Sequence, residues 1–164
     1  MPDEAAVTDF WTNARRHARL DNLPGYFGPG ALESVQPPAW WFGGTPSEAD
    51  ALLALVLEGT KTATTSALRD YEAEDEPLPE PGTMSILLDG SGRPRALLAT
   101  TDVRVVPFAE VDAEHAHLEG EGDRSLDHWR EVHERFLTDS AQPGEAFTRD
   151  LPVVLERFEV LHRE

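Results

Sequence analysis

Two apolar, β-rich runs, residues 84–88 and 95–106, flank the turn sequence Asp89-Gly90-Ser91-Gly92. Nothing else in the chain restricts the fold as tightly. A short glycine-containing connection of this kind joins strands that run antiparallel beside each other, so the pattern predicts a β-hairpin. The remaining elements must pack on that hairpin or extend it. Residues 8–20 place Phe10, Ala14, His17 and Ala18 on one helical face, with Thr8 as the expected N-cap. Residues 22–30 are rich in Pro and Gly and read as a loop. Pro37-Pro38 forces extended backbone ahead of Trp40, Trp41 and Phe42.

A second helix is expected from an N-cap at Ser47, with Asp50 at its third position. Its apolar stripe is Ala49, Leu52, Leu53, Val56 and Leu57, and Gly59 ends it. Residues 61–67 read as a strand, 70–82 as an acidic loop and 111–118 as a short helix. Ser125 caps a helix to about Thr138 that carries Leu126, Trp129, Val132, His133 and Phe136, and 151–161 forms a last strand. No internal repeat or long linker divides the chain. The order predicts a single α+β domain over 1–164, a small β-barrel or curved sheet flanked by helices, with a helical N-terminal extension over about 1–36.

Composition narrows the function. With 40% hydrophobic residues and four tryptophans, the 164-residue chain has the material for a core. It has no cysteine, which excludes disulfides, zinc knuckles and thiol chemistry. No run nears the ~20 apolar residues of a membrane span, and Met1-Pro2-Asp3-Glu4 is unlike a secretory signal. A cytoplasmic protein with no membrane partner is expected. The formal charge of −17 repels a phosphate backbone and disfavours long nucleic acids. A short single strand of RNA in a local basic groove, near Arg69, Arg95, Arg124 or Arg130, or an uncharged nucleoside, remains compatible with it.

Lys61 is the only lysine among 14 Lys and Arg residues. Arginine substitutes for lysine where a positive charge suffices, but guanidinium cannot give up its proton as a desolvated ammonium can. Lys61 lies in Gly59-Thr60-Lys61-Thr62-Ala63-Thr64-Thr65-Ser66, directly after the second helix. On an extended strand Lys61 and Thr64 face opposite sides. They converge if the segment bends or if Lys61 sits at the helix exit, and Gly59 makes such a bend cheap. A lysine desolvated in an apolar cleft could then take the proton of a threonine hydroxyl.

The run Leu55-Val56-Leu57-Glu58-Gly59-Thr60-Lys61-Thr62-Ala63-Thr64 resembles the signature of the ASCH family, a PUA-like group. The stretch from Phe108 through Ala116-His117-Leu118-Glu119-Gly120-Glu121-Gly122-Asp123 to His133 is similar to its longer bacterial members. Gly44 departs from them, since many carry an acid after Phe-Gly. The resemblance implies a PUA-like barrel with a cleft and roles from nucleoside deacylation to RNA binding or cleavage. In small members that hydrolyse N4-acetylcytidine, a lysine, a threonine three residues later and a glutamate are catalytic, and these match Lys61, Thr64 and Glu119. It thereby implies an amidohydrolase in which Thr64 is nucleophile, Lys61 its base and Glu119 an acid/base or orienting carboxylate. Alternatives are an RNA- or nucleotide-binding module, with or without metal-dependent ribonuclease activity, and a regulatory protein that recognises a metabolite.

Trp40 and Trp41 are candidates for the wall against a base, and Thr62, Ser66 and Arg124 complete the candidate substrate contacts. Thr65, Glu121 and Asp123 read as strand and loop surface. Three acids in five residues could attract a hard cation, but no EF-hand or His-Glu-x-x-His pattern accompanies them. The reading therefore includes no metal and no cofactor. His133, on the apolar stripe with Trp129, reads as a packed core histidine.

Overall fold

The computed structural model describes residues 2–18 and 35–164. The expected hairpin is present: β3 (Met84–Leu88) and β4 (Pro94–Pro107) run antiparallel, with Ile86 opposite Leu97. The Asp89 carboxylate closes the turn by accepting from the backbone of Ser91 and Arg93 and from the Ser91 hydroxyl. Beyond the hairpin, β4 pairs along its length with β5 (Pro152–Arg163). The first half of β5 pairs in turn with β2 (Ala63–Ala67). At the other edge β1 (Ala39–Trp40) lies parallel to β3. The sheet order is β1-β3-β4-β5-β2. The described strands form an open sheet, because short β1 and β2 each pair on one side only. Among these residues the barrel expected from the sequence is not closed, and what stands is an α+β sheet with helices.

Side chains alternate across a strand, and this sends the helices to different faces. Ile86, Leu88, Leu97 and Ala99 receive Val7, Phe10, Trp11 and Ala14 of α1 (Glu4–His17). Leu87, Ala96, Leu98 and Phe158 point the other way and meet Phe42 with Leu53 and Val56 of α2 (Pro46–Glu58). A third cluster joins Ala67, Val153 and Leu155 to Ala116 of α4 (Ala113–Glu119) and to Trp129 and Leu137 of α5 (Leu126–Asp139). Among the described residues no helix is long and apolar enough to cross a membrane.

Several boundaries differ from those expected. Asp3, not Thr8, caps α1 by accepting from the amides of Ala5 and Ala6. The predicted end of that helix and the loop over 22–30 lie outside the described residues. Thr45, not Ser47, caps α2 in a full capping box with Glu48, with Pro46 in the first turn. The acidic segment begins with a helix, α3 (Leu68–Glu74). The prolines start only at Pro77, so the residues before them are free to coil, and Asp75 ends the turn with φ of 52°. The short helix expected over 111–118 is α4, with Asp112 as N-cap, and a 3-10 turn, Phe108–Glu110, precedes it.

The end of α4 is stitched to the segment between α2 and β2. The Thr62 amide donates to the Leu118 carbonyl at 2.8 Å. Gly120 ends α4 with φ of +73°, and a Cβ there would fall 2.5 Å from the Thr60 carbonyl oxygen. Gly120→Ala therefore meets a left-handed backbone and a rigid neighbour together. We expect it to cost about 2–3 kcal/mol in urea denaturation, whereas an unchanged midpoint would show that this close approach is not required.

Candidate functional site

Gly59, with φ of +81°, turns the chain out of α2, and the Thr60 and Lys61 amides both donate to the Leu55 carbonyl. Lys61 thus sits at the helix exit, ahead of β2, and its side chain runs inward to 2% exposure. Its Nζ donates to the Ala63 carbonyl at 2.9 Å and to the Glu119 carbonyl at 3.5 Å. It also lies 3.5 Å from Glu121 Oε2, 3.7 Å from Glu119 Oε2 and 5.1 Å from the Phe42 ring centre. The apolar cleft expected around this nitrogen is instead a cage of oxygens, one aromatic ring aside. Four oxygens thus lie within 3.7 Å of a group that carries three N–H donors.

Glu119, 1% exposed at the end of α4, gathers the rest. Its Oε1 accepts from the Thr65 hydroxyl, from His115 Nε2 at 2.9 Å and from Trp129 Nε1 at 2.8 Å. Its Oε2 faces His133 Nε2 at 3.3 Å. Burial works to raise its pKa, but the bonds from His115 and His133 and the Lys61 charge outweigh it and hold the carboxyl well below its ordinary value. His133 Nδ1 lies 2.9 Å from the Trp129 carbonyl. Both its ring nitrogens therefore face acceptors, which favours the imidazolium. Burial opposes that charge, but the hydrogen bond to Glu119 and its negative charge prevail and raise the His133 pKa. His115 Nδ1 is buried without a partner. Its proton accordingly belongs on Nε2, where it meets Glu119.

The network borders a cavity of about 640 Å³. Lys61, Thr64, Thr65, Ser66, Glu119, Glu121, His133 and Glu156 line it, with Trp40, Trp41 and Phe42 on one wall and Val132 and Phe136 of α5 on another. Thr64 and Thr65 point to opposite faces of β2, yet both reach the cavity because β2 is an edge strand that the cavity wraps. The Thr64 hydroxyl makes no hydrogen bond among the described residues, whereas that of Thr65 is committed to Glu119. The carboxyls of Glu48, Glu119, Glu121 and Glu156 face one lysine and one histidine, so the lining is acidic. Glu121 responds to burial and to the neighbouring Glu119 charge with a raised pKa, although Lys61 opposes this.

Lys61, at the helix exit, lines one cavity with Thr64 and Glu119, and Trp40, Trp41 and Ser66 join them. Two expected contacts do not. Thr62 lines a separate groove beside β5, its hydroxyl turned to the Leu118 carbonyl. Arg124 is a strap, donating to the carbonyls of His117 and Thr60. Arg69, Arg95 and Arg130 are also absent from the cavity lining. Sequence reasoning missed Thr65, His115, Glu121, His133 and Glu156. His115 and Glu119 stand four apart on α4, a helical spacing that could have paired them. Glu119, Glu121 and His133 offer ligand atoms within 4.8 Å of one another. That would suit a metal ion, but the Lys61 ammonium already lies against the same two carboxylates.

The imidazolium–carboxylate pair carries a pH signature. A raised histidine pKa contributes stability that is complete below the unfolded value of 6.5 and is lost as pH rises through the folded value. The stability deficit of His133→Asn in urea denaturation should therefore be larger at about pH 5.5 than at about pH 9. An equal deficit at both would contradict the charged state assigned to His133.

A family model described as the ASCH domain matches residues 38–162. The fold is similar to an ASCH domain structure from Lactobacillus crispatus, with a TM-score of 0.80, 26% identity and coverage of 96% of this chain and 94% of that one. It is also similar to the structure of an Enterococcus faecalis protein, with a TM-score of 0.78, 34% identity and coverage of 95% and 88%. No curated protein matches. The matched segment contains β1 to β4, β5 up to His162 and the whole Lys61–Glu119 network, and the chain belongs to the ASCH domain family.

Proposed function

We propose that this protein hydrolyses an acyl amide on an uncharged, nucleoside-like small molecule. The observation that carries the reading is that a buried lysine and an uncommitted threonine hydroxyl line one acidic cavity. Thr64 is the nucleophile, free to meet a substrate carbonyl. Lys61 is its base. To serve as one, the ammonium passes its proton to Glu121, whose raised pKa suits it to hold one. A ligand that displaces water from the cavity favours this neutral pair over the ion pair. Glu119 has every oxygen engaged and a strongly lowered pKa, so it positions the site and does not shuttle protons.

The acidic lining supports an uncharged ligand, since a phosphate would meet carboxylates and find none of the arginines considered above. Trp40 and Trp41 on one side and Val132 and Phe136 on the other suit a flat heterocycle. The tryptophans equally suit a binding module for a short single strand of RNA. The −17 charge and the acidic lining weigh against that second reading.

Acetylated cytidine assayed by product mass separates the two. Thr64→Ala and Lys61→Arg should each lower kcat by about 10²–10⁴-fold, because neither guanidinium nor a methyl group can do the proton chemistry. Lys61→Arg that keeps wild-type turnover rejects the base role. Wild-type protein that binds the nucleoside and leaves it intact rejects hydrolysis.

A further inference from the structure

Amide hydrolysis needs a proton for the departing nitrogen, and the carboxylate first considered for that task is unable to supply it. Glu119 is buried at 1% exposure, and its two oxygens face Thr65, His115, Trp129, His133 and Lys61. Another carboxyl on the same cavity is differently placed. Glu156 on β5 is the direct register partner of Thr64 on β2. Side chains opposite each other on antiparallel strands share a face, with Cβ atoms about 5 Å apart. Both line the cavity. The Thr100 hydroxyl donates to Glu156 Oε1 at 2.6 Å, which fixes the carboxyl plane. The other oxygen has no hydrogen-bond partner among the described residues and is not among the buried orphans.

We infer that Glu156 is the general acid of the site, donating a proton from its free oxygen to the leaving amine nitrogen of an acyl-Thr64 reaction. The role rests on the hydrolase reading above and supplies a step that this reading lacks. In acylation, Thr64 Oγ attacks the carbonyl carbon while its proton passes to the Lys61 amine. The C–N bond breaks, and the nitrogen takes the Glu156 proton to leave as a neutral amine. In deacylation, the Glu156 carboxylate takes a proton from water as the water oxygen attacks the acyl carbon. The bond from the acyl carbon to Thr64 Oγ then breaks as the Lys61 ammonium returns a proton to Oγ, and acid and amine have been formed with Thr64, Lys61 and Glu156 restored. Burial raises the Glu156 pKa, against the opposing effect of the Thr100 bond, and so favours the protonated form that the first step requires. Tyr71 on α3 is a further titratable neighbour.

A comparison of leaving groups tests the assignment. Acetylated cytidine needs a proton on its departing amine, whereas p-nitrophenyl acetate releases p-nitrophenolate, a stable anion that needs none. Glu156→Gln should slow amine release from the amide by about 10²-fold or more, while the first-turnover burst of p-nitrophenolate, which reports Thr64 acylation alone, stays within about threefold of wild type. A retained burst also certifies that the variant is folded, and Thr64→Ala should abolish both. A Glu156→Gln variant that loses both activities equally, or neither, overturns the acid role and leaves the hydrolase reading intact. Wild-type protein inactive on the amide overturns the hydrolase reading, and the acid role falls with it.

Discussion

The Glu119 carboxylate is held by groups from three separate elements and from the turn that precedes one of them. Thr65 comes from β2, His115 from α4, Trp129 and His133 from α5, and Lys61 from the turn ahead of β2. A buried carboxylate is costly unless its lone pairs are satisfied, and here each partner is also anchored elsewhere. Trp129 stacks between Phe108 and His133, and His133 returns a bond to the Trp129 carbonyl. Removing the carboxylate would leave a buried ammonium and two inward-facing histidines without their acceptor. This charge holds the α4–α5 unit against the edge of the sheet, and the geometry of the cavity follows from it.

The edge position of β2 has a chemical consequence. A central strand hides each face under a different layer, so adjacent residues serve different environments. At an edge, a cavity can wrap the strand and reach both faces. Thr65 then anchors the Glu119 network from one face while Thr64 and Glu156 present free oxygens from the other. Scaffold and reacting groups are adjacent in sequence yet separated by the pleat.

Much of this was legible in the residues, for stated reasons. The β3–β4 hairpin follows from the Asp89–Gly92 turn, and α5 from Ser125 and its apolar spacing. Lys61 stood out because arginine cannot do what a deprotonating lysine does. What escaped depends on contacts distant in sequence. His133 reads as core because it shares a stripe with Trp129, and only the approach of α4 brings Glu119 to its second nitrogen. Glu156 is one acid among 31 Asp and Glu residues, and the β2–β5 register alone sets it opposite Thr64. Arg124 looked like a ligand contact because its charge was visible, while the carbonyls it straps were not. The helix α3 was hidden by the prolines that follow it.

The division of labour between Thr64 and Thr65 is the centre of this account, and trapping the acyl intermediate tests it directly. Wild-type protein mixed with acetylated cytidine, quenched in acid over a series of times and digested for peptide mass spectrometry, should carry an acetyl group on Thr64. Thr65 should carry none, because its hydroxyl is turned into the Glu119 network. An adduct on Thr65, or turnover with no adduct at any quench time, would contradict the assignment of Thr64 as the nucleophile.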